Sequence, residues 1–476
     1  MRVLLLLLLV PLGTPAPVTL HGLFADGMVL QRDQPCPVWG TSAPGEQIVV
    51  SLAGRKQSVK SGADGRWSLK LDPMPAGGPH ELKVNGTVIR DVMIGEVWLA
   101  AGGSDMEMPL KAAQIGRTQP DEGPVPMIRF FIVPSGRSEQ PEKDVRGGWR
   151  TNRSETVSEV SAVAYFFARD MQRRLKIPVG IVQATVENSS IELWIGAHSI
   201  QSNPAMARAT LFKRLEKTHY ELVLQRYRGS LLRAEEARAK GEPVPPILTK
   251  PAPPEGTSGI YNAMIAPILP YALKGMVFQQ GEVDLLKTLE YKALFPGLVQ
   301  AWRVDWSQGE LPFCFVQLGP RGARRDEPED TTLARFRDVQ TSALRLPAVG
   351  MVVTADLGDP RNKEDVGLRL ALWAEARGSS PIFDSMKIED NKVRITFKHV
   401  ASGLKANGDA LRGFTISGEF RRFVPANATI EGNSVVVWSE GIRWPAAVRY
   451  AWADNPDCTL LSQEGYPAAP FRTDNW

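Results

Sequence analysis

The chain has 476 residues, and 56 Lys and Arg against 52 Asp and Glu leave a formal charge of +4 at pH 7. So small a charge gives no electrostatic reason to expect a nucleic-acid partner, while 43% hydrophobic residues are enough to form buried cores and exclude wholesale disorder. The three cysteines, Cys36, Cys314 and Cys458, are too few for a disulfide framework and form no CxxC pair for zinc, so we expect neither a metal site nor a cofactor.

The N-terminal segment has the layout of a secretory signal. Arg2 precedes the apolar run Val3–Leu12, and small residues follow at 13–16. This run is too short for a membrane-spanning helix, which needs about 20 residues. We therefore predict a signal peptide over 1–16, a mature chain without a membrane span, and a secreted or periplasmic location.

Three regions follow the signal segment. Residues 17–91 contain short β runs between Gly-rich turns, which indicates a small β-sandwich that is either a scaffold or a sugar-contacting module. Residues 92–380 alternate apolar strands with helical periods, which predicts a three-layer α/β domain around a mostly parallel sheet. Residues 381–476 return to short strands and predict a second β-sandwich-like domain.

The α/β region opens with an almost continuous apolar strand, Asp91–Ala101, of the kind that is buried on both faces. Further strands are predicted at 179–184, 275–278, 313–318 and 351–356, and helices at 162–175, 291–302, 332–342 and 365–376. Residues 203–258 interrupt this alternation. Ala205–Lys240 has a strong helix-forming composition and a Pro-rich segment follows it, so we expect a helical excursion on a surface arm.

Ser104 is the first candidate for chemistry, because it lies just beyond the apolar strand in a Gly-Gly turn. Ligands bind at the carboxyl ends of strands in open parallel sheets. A serine there is either a nucleophile, with main-chain N–H groups of the turn facing an oxyanion, or a cap of the following helix.

Long ordered strings over nearly the whole mature chain resemble the sialate O-acetylesterase family, serine esterases of the SGNH-hydrolase superfamily. They are Leu23–Gln31, Pro37–Gly40, Gly95–Leu99, Tyr261–Pro267, Lys274–Glu282, Ala447–Trp452 and Pro470–Asp474. The resemblance implies an SGNH-type fold and removal of O-acetyl groups from sialic acid or another acetylated sugar. It also implies a serine nucleophile, an Asp-x-x-His loop and an oxyanion hole drawn from three sequence blocks.

The first two blocks depart from the family pattern. Where the family has Gly-Gln-Ser-Asn-Met, this chain keeps Ser104 as the implied nucleophile but places Asp105 after it, a carboxylate beside the expected oxyanion. Where the family has Trp-Gly-Gly-Thr, both glycines are replaced, by Glu187 and Asn188. The main-chain N–H of Asn188 remains a possible oxyanion donor, and asparagine tolerates a positive φ better than most residues.

The third block keeps Gln280 and Gly281 as implied oxyanion or substrate-binding residues. The Gln280 amide donates either to an oxyanion or to backbone across the strand end. In the fourth block, Asp359-Pro360 runs directly into Arg361, so that the family's Asp-Ile-His-Pro segment is deleted.

All five histidines lie elsewhere in the sequence. They are His21, His80, His198, His219 and His399, and none aligns with the family's base. His198 and His399 are either substitutes that fold near Ser104 or ordinary core or surface residues.

Three hypotheses follow from these residues. The first is a secreted esterase that acts on an acetylated sugar through Ser104 and an unrecognised base. The second is a non-catalytic relative that binds acetylated carbohydrate, and the third is an exported structural protein without a ligand. Losing the base alone costs a serine hydrolase on the order of 10⁶ in rate, which favours the second hypothesis.

Overall fold

The computed structural model of the protein describes residues 18–114, 127–152, 157–251, 253–325, 328–375, 379–400 and 402–476. The predicted signal segment lies outside the described residues. Within these ranges, no helix combines the length and the apolar character needed to cross a bilayer.

Short strands form the first part of the chain. They are β1 (Thr19–Leu20), β2 (Val29–Gln31), β3 (Cys36–Thr41), β4 (Gln47–Leu52), β5 (Arg55–Lys60), β6 (Arg66–Leu71) and β7 (Gly77–Val84). Strands β1, β3 and β6 form one antiparallel sheet, while β4 pairs antiparallel with β5 and β7. Along β4, Ile48, Val50 and Leu52 are buried and Gln47 is exposed, so alternate residues supply the core.

The next strand, β8 (Thr87–Gly102), connects this region with the rest of the molecule. Its first half pairs with β7 and β2, and all its residues from Val92 onward are buried. The domain boundary predicted at Asp91 falls inside this strand, at a residue with a φ of 54°. The N-terminal strands therefore join the central sheet through β8.

The central sheet is completed by β9 (Ile128–Ile132), β10 (Trp149–Thr151), β11 (Val179–Thr185), β12 (Gly275–Gln279), β13 (Phe313–Val316) and β14 (Val349–Val352). The strand order is β10-β9-β11-β8-β12-β13-β14, and the pairings are parallel except at the edge strand β10. The carboxyl ends of β8 and of β11 to β14 consequently lie along one edge.

Helices cover both faces of this sheet. They are α1 (Ser104–Glu107), α2 (Ala162–Leu175), α3 (Ala197–Ser202), α4 (Pro204–Ala209), α5 (Leu211–Lys240), α6 (Thr288–Trp306), α7 (Thr332–Gln340) and α8 (Lys363–Ala374). In β8, Trp98 and Ala100 join a core with α2 and α8, while Val97, Leu99 and Ala101 join a core with α6 and α7. This two-sided burial produces three layers and explains the continuous apolar run.

Short turns of 3-10 or π-helix lie between these elements. They are Leu110–Ala112, Ile191–Trp194, Tyr261–Ile265, Ala266–Ile268, Glu282–Asp284 and Thr341–Arg345. The predicted surface arm is formed by α4 and α5. Only Ser230, Ala234 and Ala237 of α5 are buried among the described residues, as expected for a helix that lies on the surface.

The C-terminal part contains β15 (Ile382–Glu389), β16 (Lys392–Lys398), β17 (Leu404–Ala406), β18 (Phe414–Gly418), β19 (Phe423–Pro425), β20 (Asn427–Glu431), β21 (Ser434–Trp438), β22 (Pro445–Tyr450), β23 (Leu460–Ser462) and β24 (Phe471–Arg472). The antiparallel sheets β15-β16-β21-β20 and β19-β18-β22-β24 contribute buried residues to the core, among them Ile395 and Val448. The predicted architecture is confirmed: a three-layer α/β structure around a mostly parallel sheet, with β-sheet regions before and after it.

Element boundaries differ from the predictions by a few residues. The helix predicted at 162–175 is α2. The helix predicted at 365–376 is α8, which begins two residues earlier because the Asn362 side chain accepts from the N–H of Asp365 and caps the helix there. Position 376 lies outside the described residues. The strand predicted at 351–356 is β14, which ends at Val352 because the chain turns between Thr354 and Leu357.

Candidate active site

Ser104 follows the central strand at the edge where the carboxyl ends meet. The strand ends at Gly102, where φ is 149° and a Cβ would lie 1.9 Å from the backbone oxygen of Gln279, so only glycine fits. The Gly103 N–H then donates to the same oxygen at 2.8 Å. Gly103 is the N-cap of α1 and no side chain caps this helix, so the interpretation of Ser104 as a cap is wrong.

The loop after β11 brings Asn188 to Ser104. The backbone N–H of Asn188 donates to Ser104 Oγ at 3.2 Å, and Asn188 has a φ of 50°. Thr185 pairs with Gly102 in register and the Val186 N–H donates to Gly102 O at 3.0 Å, so the sheet sets this approach. The structure thus joins two of the predicted site residues and directs a main-chain donor at the serine hydroxyl.

Gln280 lies at the end of the neighbouring strand β12, but its side chain turns toward the protein interior. Its Nε2 donates to Ser189 O and to Asp284 Oδ2, both at 2.7 Å. Both amide hydrogens are therefore used, and in this conformation Gln280 has none left for an oxyanion. Gln280 instead holds the loop that carries Asn188 by donating to its backbone, which is the second of the two roles that the sequence left open for this amide.

Two neighbours of Gln280, Gly281 and Asp284, account for the inward orientation of its side chain. Gly281 has a φ of 135°, and a Cβ there would lie 2.6 Å from a ring carbon of Phe336, so its role is conformational. Asp284 is fully buried and also accepts from the Ile191 N–H at 2.9 Å. Burial raises the pKa of Asp284 to about 6, while the hydrogen bond from Gln280 opposes that rise.

The carboxylate of Asp105 is held by an ion pair. Asp105 Oδ1 lies 2.7 Å from Lys363 Nζ, and the Lys363 side chain is only 3% exposed. Sequence reasoning placed an unfavourable free charge at Asp105, whereas the structure neutralises it with the first residue of α8. The sequence carries a weak signal for this contact, since Lys363 belongs to the Asn-Lys pair after the shortened loop.

Two carboxyl groups that sequence reasoning missed lie beside the Ser104 turn. Glu282 Oε1 accepts from the Asp105 N–H at 3.3 Å, and burial, followed by the charge of Asp105, raises the pKa of Glu282 to about 7. Glu107 accepts from the Glu187 N–H, and burial raises its pKa above its ordinary value. Its Oε2 is buried and has no partner in the described chain. Neither carboxyl hydrogen-bonds to Ser104 Oγ.

The two acids that remain in the shortened loop before α8 are both paired with arginines. Asp356 forms two hydrogen bonds with Arg369, of 2.8 and 2.6 Å. Asp359 pairs with Arg361 at 2.8 Å, and the Arg361 carbonyl accepts from the Gln114 N–H at 2.9 Å. No acid in this loop is left to orient a histidine.

The histidines lie away from the Ser104 turn. His21 Nε2 is 3.1 Å from Asp144, and His198 Nε2 is 3.1 Å from Asp305 of α6. His399 lines a pocket beside the first residues of β14, at the opposite edge of the sheet. His80 is in β7 and His219 in α5. In the described ranges no three metal-ligating side chains converge either.

Comparison with known proteins identifies the family that this chain resembles. A family model described as "Carbohydrate esterase, sialic acid-specific acetylesterase" matches residues 253–367. The chain is 25% identical to the human sialate O-acetylesterase, over 94% of this chain and 90% of the human protein. Its identity to the sialate O-acetylesterase of Mus musculus is 27%, over 93% of this chain and 92% of the mouse protein.

A solved structure agrees with these relatives. The crystal structure of a carbohydrate acetylesterase from Xanthomonas citri superimposes with a TM-score of 0.81 and 34% identity, over 97% of this chain and all of that one. The chain therefore belongs to the sialate O-acetylesterase family of carbohydrate esterases, which are carboxylic ester hydrolases.

Proposed function

We propose that this protein is an exported member of the family that binds acetylated carbohydrate at the Ser104 turn and has lost the hydrolytic step. One observation carries the proposal: the loop between Asp356 and Lys363 supplies no base, and Lys363 is ion-paired to Asp105 at 2.7 Å. The family membership supports an acetylated sugar as the ligand.

The remaining groups suit binding better than catalysis. The Asn188 N–H at 3.2 Å from Ser104 Oγ can polarise an ester carbonyl that enters the turn. An unassisted serine hydroxyl, however, is a weak nucleophile at neutral pH. Since the loss of the base alone costs on the order of 10⁶ in rate, the expected turnover is negligible.

The alternative is an esterase with a different base, and one observation favours it. The pKa of Glu282, raised to about 7 by burial and by Asp105, suits general-base catalysis near neutral pH. Against this alternative, the hydrogen bond of Glu282 in this region goes to the Asp105 N–H rather than to Ser104 Oγ. Turnover of an acetyl ester separates the two functions.

Export is part of the proposal. Arg2, the apolar run Val3–Leu12 and the small residues at 13–16 support removal of the leader near residue 16. Acetylated polysaccharides and glycoproteins are found outside the cytoplasm, where such a protein would meet its ligand.

The test is calorimetric titration with one oligosaccharide in its O-acetylated and de-O-acetylated forms. We expect the acetylated form to bind at least tenfold more tightly. Ser104→Leu should abolish that binding by filling the turn, and Ser202→Leu, at an exposed serine of α3, should not. Equal affinity for both forms, or unchanged affinity in Ser104→Leu, would contradict the proposal.

A further inference from the structure

The surface helix α5 (Leu211–Lys240) carries a row of exposed leucines. These residues are between 44 and 61% exposed, and together they form the leucine row: Leu211, Leu215, Leu222 and Leu232. A single exposed leucine is ordinary on a protein surface, whereas several on one side of one helix mark an interaction surface. The leucine row is therefore a candidate docking surface.

The spacing of the leucine row is that of a coiled-coil seam. Steps of four, seven and ten residues separate the leucines, and each step is a sum of the alternating three- and four-residue intervals of a heptad. The seam positions between the leucines are uncharged, and they are Thr218, Gln225 and Gly229. From Leu211 to Leu232 the seam is about 32 Å long and contains no charged residue.

A different face of α5 packs against the Pro-rich segment that follows it. Among the described residues of this helix, the buried ones are Ser230, Ala234 and Ala237. Ser230 Oγ accepts from the Leu248 N–H at 3.0 Å. These three positions fall outside the heptad seam, so the Pro-rich segment covers another side of the helix and leaves the leucine row exposed.

Charged side chains of alternating sign follow one flank of the leucine row. They recur every seven residues, and they are Arg214, Glu221, Arg228 and Glu235. All four are exposed, and within the described chain none of them forms an ion pair. In contrast, Lys213 of the same helix lies 3.7 Å from Glu192. The flank therefore holds four charges that are available to a partner.

This order of charges is self-complementary when two copies of α5 run in opposite directions. If Leu215 packs against Leu232 of the second copy, Arg214 faces Glu235 of that copy. In the same register Glu221 faces Arg228 of the second copy, and the twofold axis repeats both ion pairs. A parallel pair would instead bring Arg228 of each copy against Arg233 of the other, where like charges repel. The charges thus select the antiparallel arrangement.

We propose that a second copy of this chain docks on the leucine row, giving a dimer in which two α5 helices pair antiparallel. The interface is isologous, because each copy contributes the same leucine row and the same charged flank. The leucines supply apolar burial, and the flanking charges fix the direction and register of the pair. The dimer does not depend on the chemistry of the Ser104 turn.

The test is sedimentation velocity of the full mature chain at increasing concentration. The chain should be monomeric at about 1 μM and mostly dimeric at about 200 μM, because dimer formation follows mass action. A chain that remains monomeric over this range would overturn the proposal. Co-sedimentation of a monomeric chain with vesicles of phosphatidylcholine and phosphatidylglycerol would assign the row to a lipid surface and would also overturn it.

Variants of the seam and its flank locate the interface. Leu215→Glu should weaken dimerisation at least tenfold, because it places a carboxylate against Leu232 of the second copy. Lys217→Glu is the control at an exposed position of α5 outside the seam and its charged flank, and it should dimerise like the wild type. Circular dichroism checks that each variant is folded. A dimer that persists unchanged in Leu215→Glu would overturn the assignment.

A charge exchange tests the antiparallel direction. Arg228→Glu and Glu221→Arg should each weaken dimerisation at least tenfold, because each variant brings like charges together. The double variant Glu221→Arg/Arg228→Glu should restore the affinity, since the exchanged charges attract again in the antiparallel pair. In a parallel pair, the exchange would place an arginine opposite Arg226 of the other copy. A double variant no tighter than the single variants would therefore overturn the antiparallel assignment.

Ser104→Leu separates this inference from the proposed function. That variant should lose the acetylated oligosaccharide and dimerise like the wild type, whereas Leu215→Glu should lose the dimer and keep the oligosaccharide.

Discussion

Replacement of Glu282 by glutamine tests the electrostatics of the Ser104 turn. Burial, and then the charge of Asp105, raises the pKa of Glu282 from 4.5 to about 7. Between pH 4.5 and about pH 7, Glu282 is protonated in the folded chain but has released its proton in the unfolded chain. The free energy of unfolding therefore falls as the pH rises. The full effect is about 3 kcal/mol, of which about 2.5 kcal/mol falls between pH 5 and pH 8.

The assay is urea unfolding at pH 5, 6, 7 and 8. The wild type should lose about 2.5 kcal/mol more stability over this range than Glu282→Gln, because glutamine does not titrate. Glu221→Gln is the control, since Glu221 is exposed on the surface helix α5 away from the Ser104 turn, and it should follow the wild type. Parallel curves for all three proteins would refute the argument that the pKa of Glu282 is raised in the folded chain.

Three further predictions concern the ion pair, the missing loop and the leader. Asp105→Asn should lower the free energy of unfolding, measured in urea, by about 3 kcal/mol because it leaves the buried Lys363 without a counter-charge. The double variant Asp105→Asn/Lys363→Met should recover most of that stability. Additive losses of stability in this double-mutant cycle would argue against the ion pair. Insertion of Asp-Ile-His-Pro between Pro360 and Arg361 should raise ester turnover, but not to the level of an intact family site, because Glu187 and Asn188 replace the family's glycines. If the same insertion combined with Ser104→Ala gave an equal gain, the serine would not be involved. Mass spectrometry of the exported protein should find an N-terminus near residue 17, and a mature chain that keeps residues 3–12 would contradict export with cleavage.

The fold could be predicted from the sequence where burial is two-sided and continuous. The apolar run after Asp91 indicated a central strand, and β8 carries Trp98 and Ala100 into one core and Val97 and Leu99 into the other. Its first residues, from Thr87, were not predicted as part of the same strand, because pairing with β7 and β2 is set by tertiary contacts rather than by a local pattern.

The site could be predicted only as far as main-chain geometry determines it. The positive φ of Asn188 and its approach to Ser104 follow from strand register and from the local conformation. The side-chain partners of Asp105 and Gln280 could not be predicted in this way. Lys363 is 258 residues from Asp105 in the chain, and no local spacing rule connects them.

Turnover of a simple acetyl ester tests the central claim most directly. The measurement is release of p-nitrophenol from its acetate by the purified wild type, with Ser104→Ala as the control. We predict that the wild type is no faster than Ser104→Ala, because no histidine stands at the position that would deprotonate the serine. Wild-type turnover well above buffer that disappears in Ser104→Ala would show that another group serves as the base and that the family's chemistry has been kept.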